Sequence, residues 1–489
     1  MNVGTFLQDT VDGLRHLGAE VILLSGWVLI LLAGLIPALA KTGVLRTLAL
    51  LTLAATAYWV VWDWPADTLT LFGGLLKHDA FGALAKLIFC ASALFAVAIT
   101  SRGQRHSHEY FLLLVAAVLG GQLAAMSTHL LVMVLALEIV SLCGYALAGF
   151  AFTKTGAEGS LKYFIMGSAL TALMIYGASL LYGATGSMDF SSDVFATGLL
   201  RAPTSLVWVG GLLLVAGLLM KIASVPFHFW APDAYEAGPT PVVAFLAVVP
   251  KVAAMVVLAR VMWVLYAGGE ALVPWPTILG VAALASMVVG NLAALGQTTP
   301  KRLLAYSSIA QSGFMLAALS CLTPGGLSAW VFYAVVFAAA NWVVFIALDV
   351  FEKEHGCTEV SSFAGLGRQR VALAVVLSLG MLSLTGLPPA GGFTAKLLLF
   401  TTLWGTFEGN GEWLYQLLFF VGLANTVVSL FFYLKIPYYL FFKPAPAAAP
   451  IKSSRWPVFF LTVLGALLVA VFLRPDALTG WINRVTFAW

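Results

Sequence analysis

The chain has 489 residues, of which 61% are hydrophobic and 9% are charged, with a net charge of +4 and a mean hydropathy of +0.98. A soluble protein carries about 25% charged residues, so this composition excludes a soluble globular domain and predicts a chain embedded in lipid. The small net charge leaves no basic tract suited to nucleic acid.

Apolar runs of about 20 residues predict 14 membrane-spanning helices. In chain order they cover 19–40, 45–64, 80–100, 109–126, 128–150, 161–184, 206–230, 240–266, 275–295, 302–322, 327–350, 370–408, 413–441 and 455–474. The seventh and twelfth spans are interrupted. The stretches between spans are too short for a soluble domain, so the sequence predicts an all-α polytopic membrane protein with one transmembrane domain over residues 1–489.

The cations are distributed unevenly between the loops. Loops after odd-numbered spans, with the adjoining span ends, contain Lys41, Arg46, Arg102, Arg105, Lys154, Lys162, Lys301, Arg302, Lys353, Arg368, Arg370, Lys443, Lys452 and Arg455. Loops after even-numbered spans contain only Lys77 and Arg201, with Arg260 near a span end. By the positive-inside rule, the odd loops are cytoplasmic and both termini lie on the opposite side.

Motifs for cofactors are missing. The four cysteines, Cys90, Cys143, Cys321 and Cys357, are far apart and form no CxxC pair, which argues against iron–sulfur, zinc and disulfide frameworks. Neither a GxGxxG nor a P-loop pattern stands in the right context for nucleotide binding. The first 18 residues lack the basic-then-apolar order of a cleaved signal. We therefore expect this chain to bind no cofactor and no metal.

Six charged residues lie inside the predicted spans: Lys86, Glu138, Lys221, Lys251, Lys396 and Lys435. A charge near the bilayer centre costs about 2.5–3.5 kcal/mol on insertion scales, so such residues face the bundle interior. Lys86 and Lys435 are close enough to a span end for their long stems to snorkel to the interface. We interpret Lys86 as structural and Asp349 as a satisfied charge at the end of the eleventh span, whereas Lys435 is either structural or a relay group.

Glu138, Lys221, Lys251 and Lys396 lie too deep for snorkelling. A structural ion pair of Glu138 with one lysine is the alternative interpretation, but one carboxylate cannot serve three central lysines, and an unpaired buried charge is costly. Burial disfavours the charged form of each group, whereas proximity of opposite charges favours both. A lysine that alternates between carboxylate contact and isolation would gain and lose a proton, which predicts a proton pathway.

Two segments cannot continue as helices at membrane depth. The segment 217–241 contains prolines at 226, 232, 239 and 241, and the segment 383–400 contains Pro388, Pro389, Gly391 and Gly392. Freed backbone groups need protein or a wet cavity around them. Breaks in corresponding spans indicate two inverted five-helix repeats, spans 4–8 (109–266) and spans 9–13 (275–442). His228 follows Pro226 and either lines this break or packs there.

Three stretches resemble a known family. They are "KIASVPFHFWAPDAYEAGPTPVVAFLAVVPK" (221–251), "KRLLAYSSIAQSGFML" (301–316) and "GLPPAGGFTAK" (386–396), and they resemble the antiporter-like subunits of respiratory complex I, the proton-translocating NADH:quinone oxidoreductase. These are related to subunits of Mrp-type antiporters. The resemblance covers about residues 80–442 and implies a multi-pass protein of the bacterial inner membrane with periplasmic termini. Its partners would be lipid and other membrane subunits of complex I, with no redox chemistry in this chain itself.

The resemblance also implies roles by position. Glu138 and Lys221 match the pair that gates proton loading, Lys251 matches a relay group, and Lys396 matches a lysine at the exit-side half-channel. The relay histidines of some relatives are absent, so other polar groups with water would have to bridge the gaps. The secondary relay candidates are His228, Gln311, Asn341 and Lys435.

Two other functions stay open at this stage. One is a subunit of an Mrp-type cation/proton antiporter, which differs from complex I in lacking partners that contain iron–sulfur clusters and flavin. The other is a structural membrane scaffold that only docks other subunits, for which neutralising all the central lysines would be harmless.

Overall fold

The computed structural model describes residues 13–101, 104, 106–267, 273–444 and 456–485. Within these ranges, 12 helices are long and apolar enough to cross a membrane, and a bent pair of helices, 458–473 and 475–483, makes up to 13. The prediction of an all-α polytopic membrane protein is confirmed at this level. The count of 14 stays a prediction, as does the layout of two inverted repeats.

The helices and the single hairpin follow in chain order. They are α1 (Gly18–Leu35), α2 (Thr42–Trp62), β1 (Leu69–Leu71), β2 (Leu76–His78), α3 (Ala80–Ile99), α4 (Ser107–Met126), α5 (Leu130–Ala148), α6 (Lys154–Thr185), α7 (Asp193–Arg201), α8 (Thr204–Lys221), α9 (Trp230–Ala237), α10 (Thr240–Leu246), α11 (Val249–Ala267), α12 (Trp275–Leu295), α13 (Pro300–Ser320), α14 (Pro324–His355), α15 (Val371–Thr385), α16 (Gly391–Asn410), α17 (Trp413–Tyr433), α18 (Lys435–Phe442), α19 (Trp456–Leu473) and α20 (Pro475–Val485). Of the loop cations used to predict orientation, Arg102, Arg105, Lys452 and Arg455 lie outside the described residues.

The described residues form two compact units. The first contains residues up to Ile222 together with Val248–Trp275, and the second contains Ala223–Ala247 and Pro276–Arg484. The chain therefore leaves the first unit one residue after Lys221, at the start of the first break, and returns to it at Val248, just before α11.

In the first unit, α6 and α8 pack against each other at unusually close range. A Cβ on Gly177 of α6 would lie 2.5 Å from the carbonyl oxygen of Gly210 on α8. Small residues allow such close helix packing in membranes, where the hydrophobic effect does not drive helices together. This approach holds the C-terminal end of α8, and with it Lys221, against the side chains of α6.

Lys86 does not snorkel to the interface, and that part of its sequence interpretation is wrong. Its ammonium lies 2.7 Å from the carboxylate of Glu20 on α1, and both side chains are buried. Because Glu20 and Lys86 are far apart in the sequence, no local pattern identified Glu20 as the partner of Lys86. Asp349 matches its interpretation, because it accepts a hydrogen bond of 2.6 Å from Lys353 one turn later on α14.

A second buried ion pair joins α11 to the start of α3. Both terminal nitrogens of Arg260 donate to Asp79, each at 2.7 Å, and the Nε donates to the carbonyl oxygen of Ala125 at 3.0 Å. Asp79 also caps α3 by accepting from the Gly82 N–H at 2.7 Å. The side chains of Arg260 and Asp79 are 2% and 3% exposed. Arg260 therefore links helices through a buried ion pair and is not a charge at a span end.

Replacing Asp79 with asparagine is expected to destabilise the protein by about 3–5 kcal/mol, because the cap survives while Arg260 is left as an uncompensated buried charge. The double variant Asp79→Asn/Arg260→Met should regain part of that loss. Thermal unfolding in detergent measures both. Glu158→Gln is the matched control, since Glu158 and Lys162 form an exposed pair on α6, which contributes at most about 1 kcal/mol.

Both predicted breaks are confirmed. Pro226 lies between the end of α8 at Lys221 and the start of α9 at Trp230, and Pro388 and Pro389 lie between the end of α15 at Thr385 and the start of α16. The peptide bonds that precede Pro226 and Pro389 are cis. The eighth predicted span, 240–266, is also discontinuous, with α10 and α11 separated by a two-residue turn.

The sequence predicted that Gly391 and Gly392 belong to the second break. That prediction is wrong, because both residues lie in the first turn of α16. The glycines serve packing there rather than helix termination. A Cβ on Gly392 would lie 1.7 Å from the Ser383 carbonyl oxygen, and the Gly392 N–H donates to the Ser383 hydroxyl at 3.2 Å. The start of α16 is thereby held against the end of α15.

Candidate functional site

The ammonium group of Lys221 is fully coordinated by side chains of two neighbouring helices. It donates at 2.7 Å to Glu138 and at 2.7 Å to Ser141, both on α5, and at 3.3 Å to Thr171 on α6. These three acceptors match the three N–H donors of a lysine ammonium. The geometry thus stabilises a protonated Lys221 in the interior of the first unit, where its side chain is 4% exposed.

Glu138 is the less enclosed member of this pair. One carboxylate oxygen, Oε1, accepts from Lys221 and also from the Thr171 hydroxyl at 2.6 Å. The side chain is 21% exposed, so Glu138 is not fully enclosed as Lys221 is. A carboxylate that contacts a buried lysine and is itself partly accessible is suited to exchange a proton with that lysine.

Lys251 lies in the first turn of α11, a helix that packs against α3, α4, α5 and α8 within the first unit. Its side chain has no exposed surface. Lys251 thus stands at the start of its helix, whereas Lys221 is the last residue of α8.

Lys396 is also buried, at 4% exposure, and its ammonium is held by partners other than a carboxylate. It donates at 2.7 Å to the carbonyl oxygen of Thr385, the last residue of α15, and at 3.3 Å to the Thr426 hydroxyl on α17. The ammonium also lies 4.3 Å from the centre of the Phe314 ring. The negative end of α15 and the ring face together stabilise the cation.

The same helix end is bound by Gln311 on α13. The Gln311 amide donates at 2.7 Å to the carbonyl oxygen of Leu384 and at 2.9 Å to the hydroxyl of Tyr433, and its oxygen accepts from Tyr333 at 2.5 Å. Gln311 and Lys396 therefore donate to the adjacent carbonyl oxygens of Leu384 and Thr385. These carbonyls lie at the end of α15, where the helix itself supplies no N–H partner. Gln311 and Lys396 belong to one polar cluster at the second break.

A small cavity of about 10 Å³ adjoins this cluster. Its lining includes Gln311, Tyr333, Ser383 and Ala395, the neighbour of Lys396. A space of this size with several polar groups around it is suited to a bound water molecule. The irregular backbone of the break is thus covered by protein, as it must be at membrane depth, with room for one water molecule beside it.

The other secondary candidates are less directly connected. Asn341 donates at 2.7 Å to the Phe337 carbonyl oxygen of its own helix, α14. Lys435, at the start of α18, donates at 2.9 Å to the Gln297 carbonyl oxygen beyond the end of α12. His228 lies in the first break, buried, with its ring centre 4.3 Å from that of Phe229; its Nδ1 has no hydrogen-bond partner among the described residues.

Sequence reasoning missed the neutral groups that hold these lysines. Ser141 stands one turn after Glu138 on the same helix face, a spacing that identifies it as a neighbour. Thr171, Thr426, Tyr333 and Tyr433 come from helices whose packing no local pattern reveals. Hydroxyl residues are common in membrane helices, so their positions alone carry too little information to single them out.

The chain matches known proteins over most of its length. The family model for "NADH:quinone oxidoreductase/Mrp antiporter, TM" matches residues 127–424. NADH-quinone oxidoreductase subunit N of Anaeromyxobacter sp. (strain Fw109-5) is 35% identical over 457 residues, which are 89% of this chain and 88% of that protein.

Solved structures share the fold. A chain in respiratory complex I from Thermus thermophilus with bound aureothin superimposes with a TM-score of 0.80 at 32% identity, covering 96% of this chain and 100% of that chain. A chain of the Mrp complex from Dietzia sp. DQ12-45-1b superimposes with a TM-score of 0.79 at 21% identity, covering 96% and 97%. At that lower identity the likeness extends to the fold alone.

Proposed function

The chain belongs to the NADH:quinone oxidoreductase/Mrp antiporter family of membrane subunits, with relatives named NADH-quinone oxidoreductase subunit N, and we propose that it carries one proton pathway of complex I. It is a multi-pass membrane subunit of that complex, where it sits with other membrane subunits. Electron transfer takes place in other subunits, and this chain moves protons through Glu138, Lys221, Lys251 and Lys396.

One observation carries the proposal: each of the two deep lysines at the breaks is located at the C-terminal end of a half-helix, Lys221 as the last residue of α8 and Lys396 as a donor to the last carbonyl of α15. Broken helices at membrane depth mark ion sites in transporters because their ends supply partial charges. A structural ion pair would need neither the breaks nor the second, carboxylate-free lysine.

The different surroundings of the lysines suggest different tasks. Lys221 exchanges its proton with Glu138, the partly accessible acid, and so loads the pathway. Lys251 is the relay group on α11. Lys396 has no carboxylate among its hydrogen-bond partners in the described residues, and its cation is held only by dipoles and a ring face. Such a site releases its proton more readily, with Gln311 and cavity water as the next carriers.

The arrangement in the membrane follows the same proposal. The cation-rich odd loops lie in the cytoplasm, both termini lie in the periplasm, and the bilayer is the bacterial inner membrane. The two inverted repeats, 109–266 and 275–442, each contribute one broken helix and the deep lysine near its break, which is Lys221 in the first repeat and Lys396 in the second. His228, Asn341 and Lys435 are secondary relay groups.

Lys251→Met tests the pathway at its relay position. Methionine has an unbranched side chain close in length to that of lysine and adapts to irregular core space, so the variant complex is expected to assemble although Lys251 is fully buried. Proton pumping should fall about tenfold, equivalent to about 1.4 kcal/mol in the barrier, since water can replace the relay only in part. Acidification of inverted membrane vesicles on NADH addition measures pumping.

The control is Lys162→Met, which removes an exposed lysine of the Glu158–Lys162 pair on α6. Unchanged pumping in a fully assembled Lys251→Met complex would contradict the pathway and would favour the scaffold function. If the variant assembles poorly but each assembled complex pumps normally, that result would also contradict the pathway and favour the scaffold function.

A further inference from the structure

A cluster of potential metal ligands lies outside the proton pathway, within the first unit. His16 belongs to the helical turn at 13–16, Asp63 is the residue after α2, and His78 ends β2. The Nδ1 of His16 lies 3.2 Å from the Oδ2 of Asp63, and the Nε2 of His78 lies 3.7 Å from the same oxygen. All three ligand atoms lie within 4.8 Å of one another.

These separations are those of a metal site that is nearly closed. Zinc binds imidazole nitrogen and carboxylate oxygen at about 2.0–2.2 Å, and two ligands of a tetrahedral ion at that distance are about 3.4 Å apart. The distances of 3.2 and 3.7 Å bracket this value. The two imidazole nitrogens lie within 4.8 Å of each other, so the rings must move closer together to bind one ion.

The ligands are held in place by structure that is independent of any ion. His78 pairs with Leu69 across the hairpin, and the residue that follows it, Asp79, is fixed by Arg260. Asp63 directly follows α2, and its N–H donates to the Trp59 carbonyl oxygen. His78 is 7% exposed and the other two side chains are 26–29% exposed, so the site is anchored on the inside and open to solvent on the outside.

We propose that His16, Asp63 and His78 form a binding site for a divalent transition metal ion of the Zn²⁺ type. Two imidazoles and one carboxylate suit zinc, copper and nickel better than magnesium or calcium, which prefer oxygen ligands. Asp79 is engaged by Arg260 and does not serve as a fourth ligand, so water completes the coordination. The site cross-links the N-terminal turn, the end of α2 and the hairpin.

The spacing of the cysteines predicted no metal site. This ligand set contains no cysteine and its members come from three separate elements, so no short motif announces it. Only the tertiary packing of the N-terminal turn against the hairpin, through contacts such as Leu17 with the cluster of Leu71, Leu76 and Met126, brings the three residues together.

The test is Zn²⁺ binding by the detergent-purified complex that contains this chain. After stripping with a chelator, the complex is titrated with Zn²⁺ alone and free Zn²⁺ is followed with a chromophoric chelator. Wild type is expected to bind one more high-affinity Zn²⁺ than His16→Gln, Asp63→Asn or His78→Gln complexes. The affinity at this site should fall at least about 10- to 100-fold in each variant, since even loss of a supporting residue has that effect.

His106→Gln is the matched control, because His106 is an exposed histidine 3.9 Å from the carboxylate of Glu109; it should keep the wild-type stoichiometry. Zn²⁺ should also raise the melting temperature of wild type and His106→Gln but not that of the three ligand variants. Equal zinc stoichiometry and affinity in wild type and all three ligand variants would overturn the proposal. His16→Gln and Asp63→Asn, which change less buried side chains, keep the test decisive if His78→Gln does not assemble.

Discussion

Replacing Glu138 with glutamine is expected to slow proton transfer through this chain in the assembled complex by about 10²- to 10⁴-fold, the usual contribution of a positioned acid or base to proton transfer. Glutamine keeps the size and a hydrogen-bonding oxygen of the side chain but cannot gain or lose a proton near neutral pH. Lys221 keeps Ser141 and Thr171 as acceptors but loses its anion. Proton uptake and NADH oxidation, measured together in inverted vesicles, report the effect.

Glu158→Gln is the control, since it makes the same chemical change in an exposed ion pair and should leave pumping unchanged. Glu138→Asp adds a second comparison. It keeps a titratable group but shortens its reach to Lys221, so its pumping should lie between those of wild type and Glu138→Gln. Normal pumping in a fully assembled Glu138→Gln complex would remove Glu138 from the pathway.

Lys396→Arg should be equally damaging, for a different reason. Arginine stays protonated in proteins, so the variant keeps a cation at the end of α15 but cannot release a proton. We expect proton transfer through this chain to be about 10²- to 10⁴-fold slower in the assembled variant complex. If Lys396 were only a structural cation, arginine would replace it without loss of pumping.

Two further variants separate charge from proton transfer at this site. Lys396→Met removes the cation and leaves the Thr385 carbonyl and the Thr426 hydroxyl without their donor, so it should lose pumping and some stability. Thr426→Val removes only the weaker acceptor, at 3.3 Å, and should have a smaller effect. Thr401→Val is its control, because the Thr401 hydroxyl bonds only within its own helix among the described contacts.

The sequence was sufficient for the class of protein and for the deep charges. Hydropathy predicted a polytopic helical membrane protein, and prolines at 226, 388 and 389 identified the breaks, because proline removes a backbone donor wherever it stands. Lys221 precedes its break whereas Lys396 follows its own, so spacing alone does not make the two lysines equivalent. The structure places each at the C-terminal end of a half-helix because Lys396 reaches back across the break to Thr385.

The sequence did not reveal which side chains pair with the buried charges. Lys86 with Glu20, and Arg260 with Asp79, are pairs of residues far apart in the chain, and only helix packing brings them together. A lysine near a span end is compatible with snorkelling and with a buried ion pair, and the sequence does not distinguish them. The same limit applies to the Gln311–Tyr433 contact, which joins α13 to α17.

Glycine was ambiguous for another reason. Gly391 and Gly392 follow two prolines, so their flexibility suggested that they extend the break. Their actual contribution is the missing side chain, which lets α16 begin in contact with Ser383. A pattern of residue types does not separate a glycine that ends a helix from one that allows close approach.

The most direct test of the central claim is the number of protons translocated per NADH by complexes carrying Glu138→Gln, Lys396→Arg or both. If the two residues belong to one pathway, either single variant blocks it and the double variant is no worse than the more damaging single one, as for coupled residues. Losses that multiply in the double variant, or a wild-type proton yield in any fully assembled variant, would contradict the account.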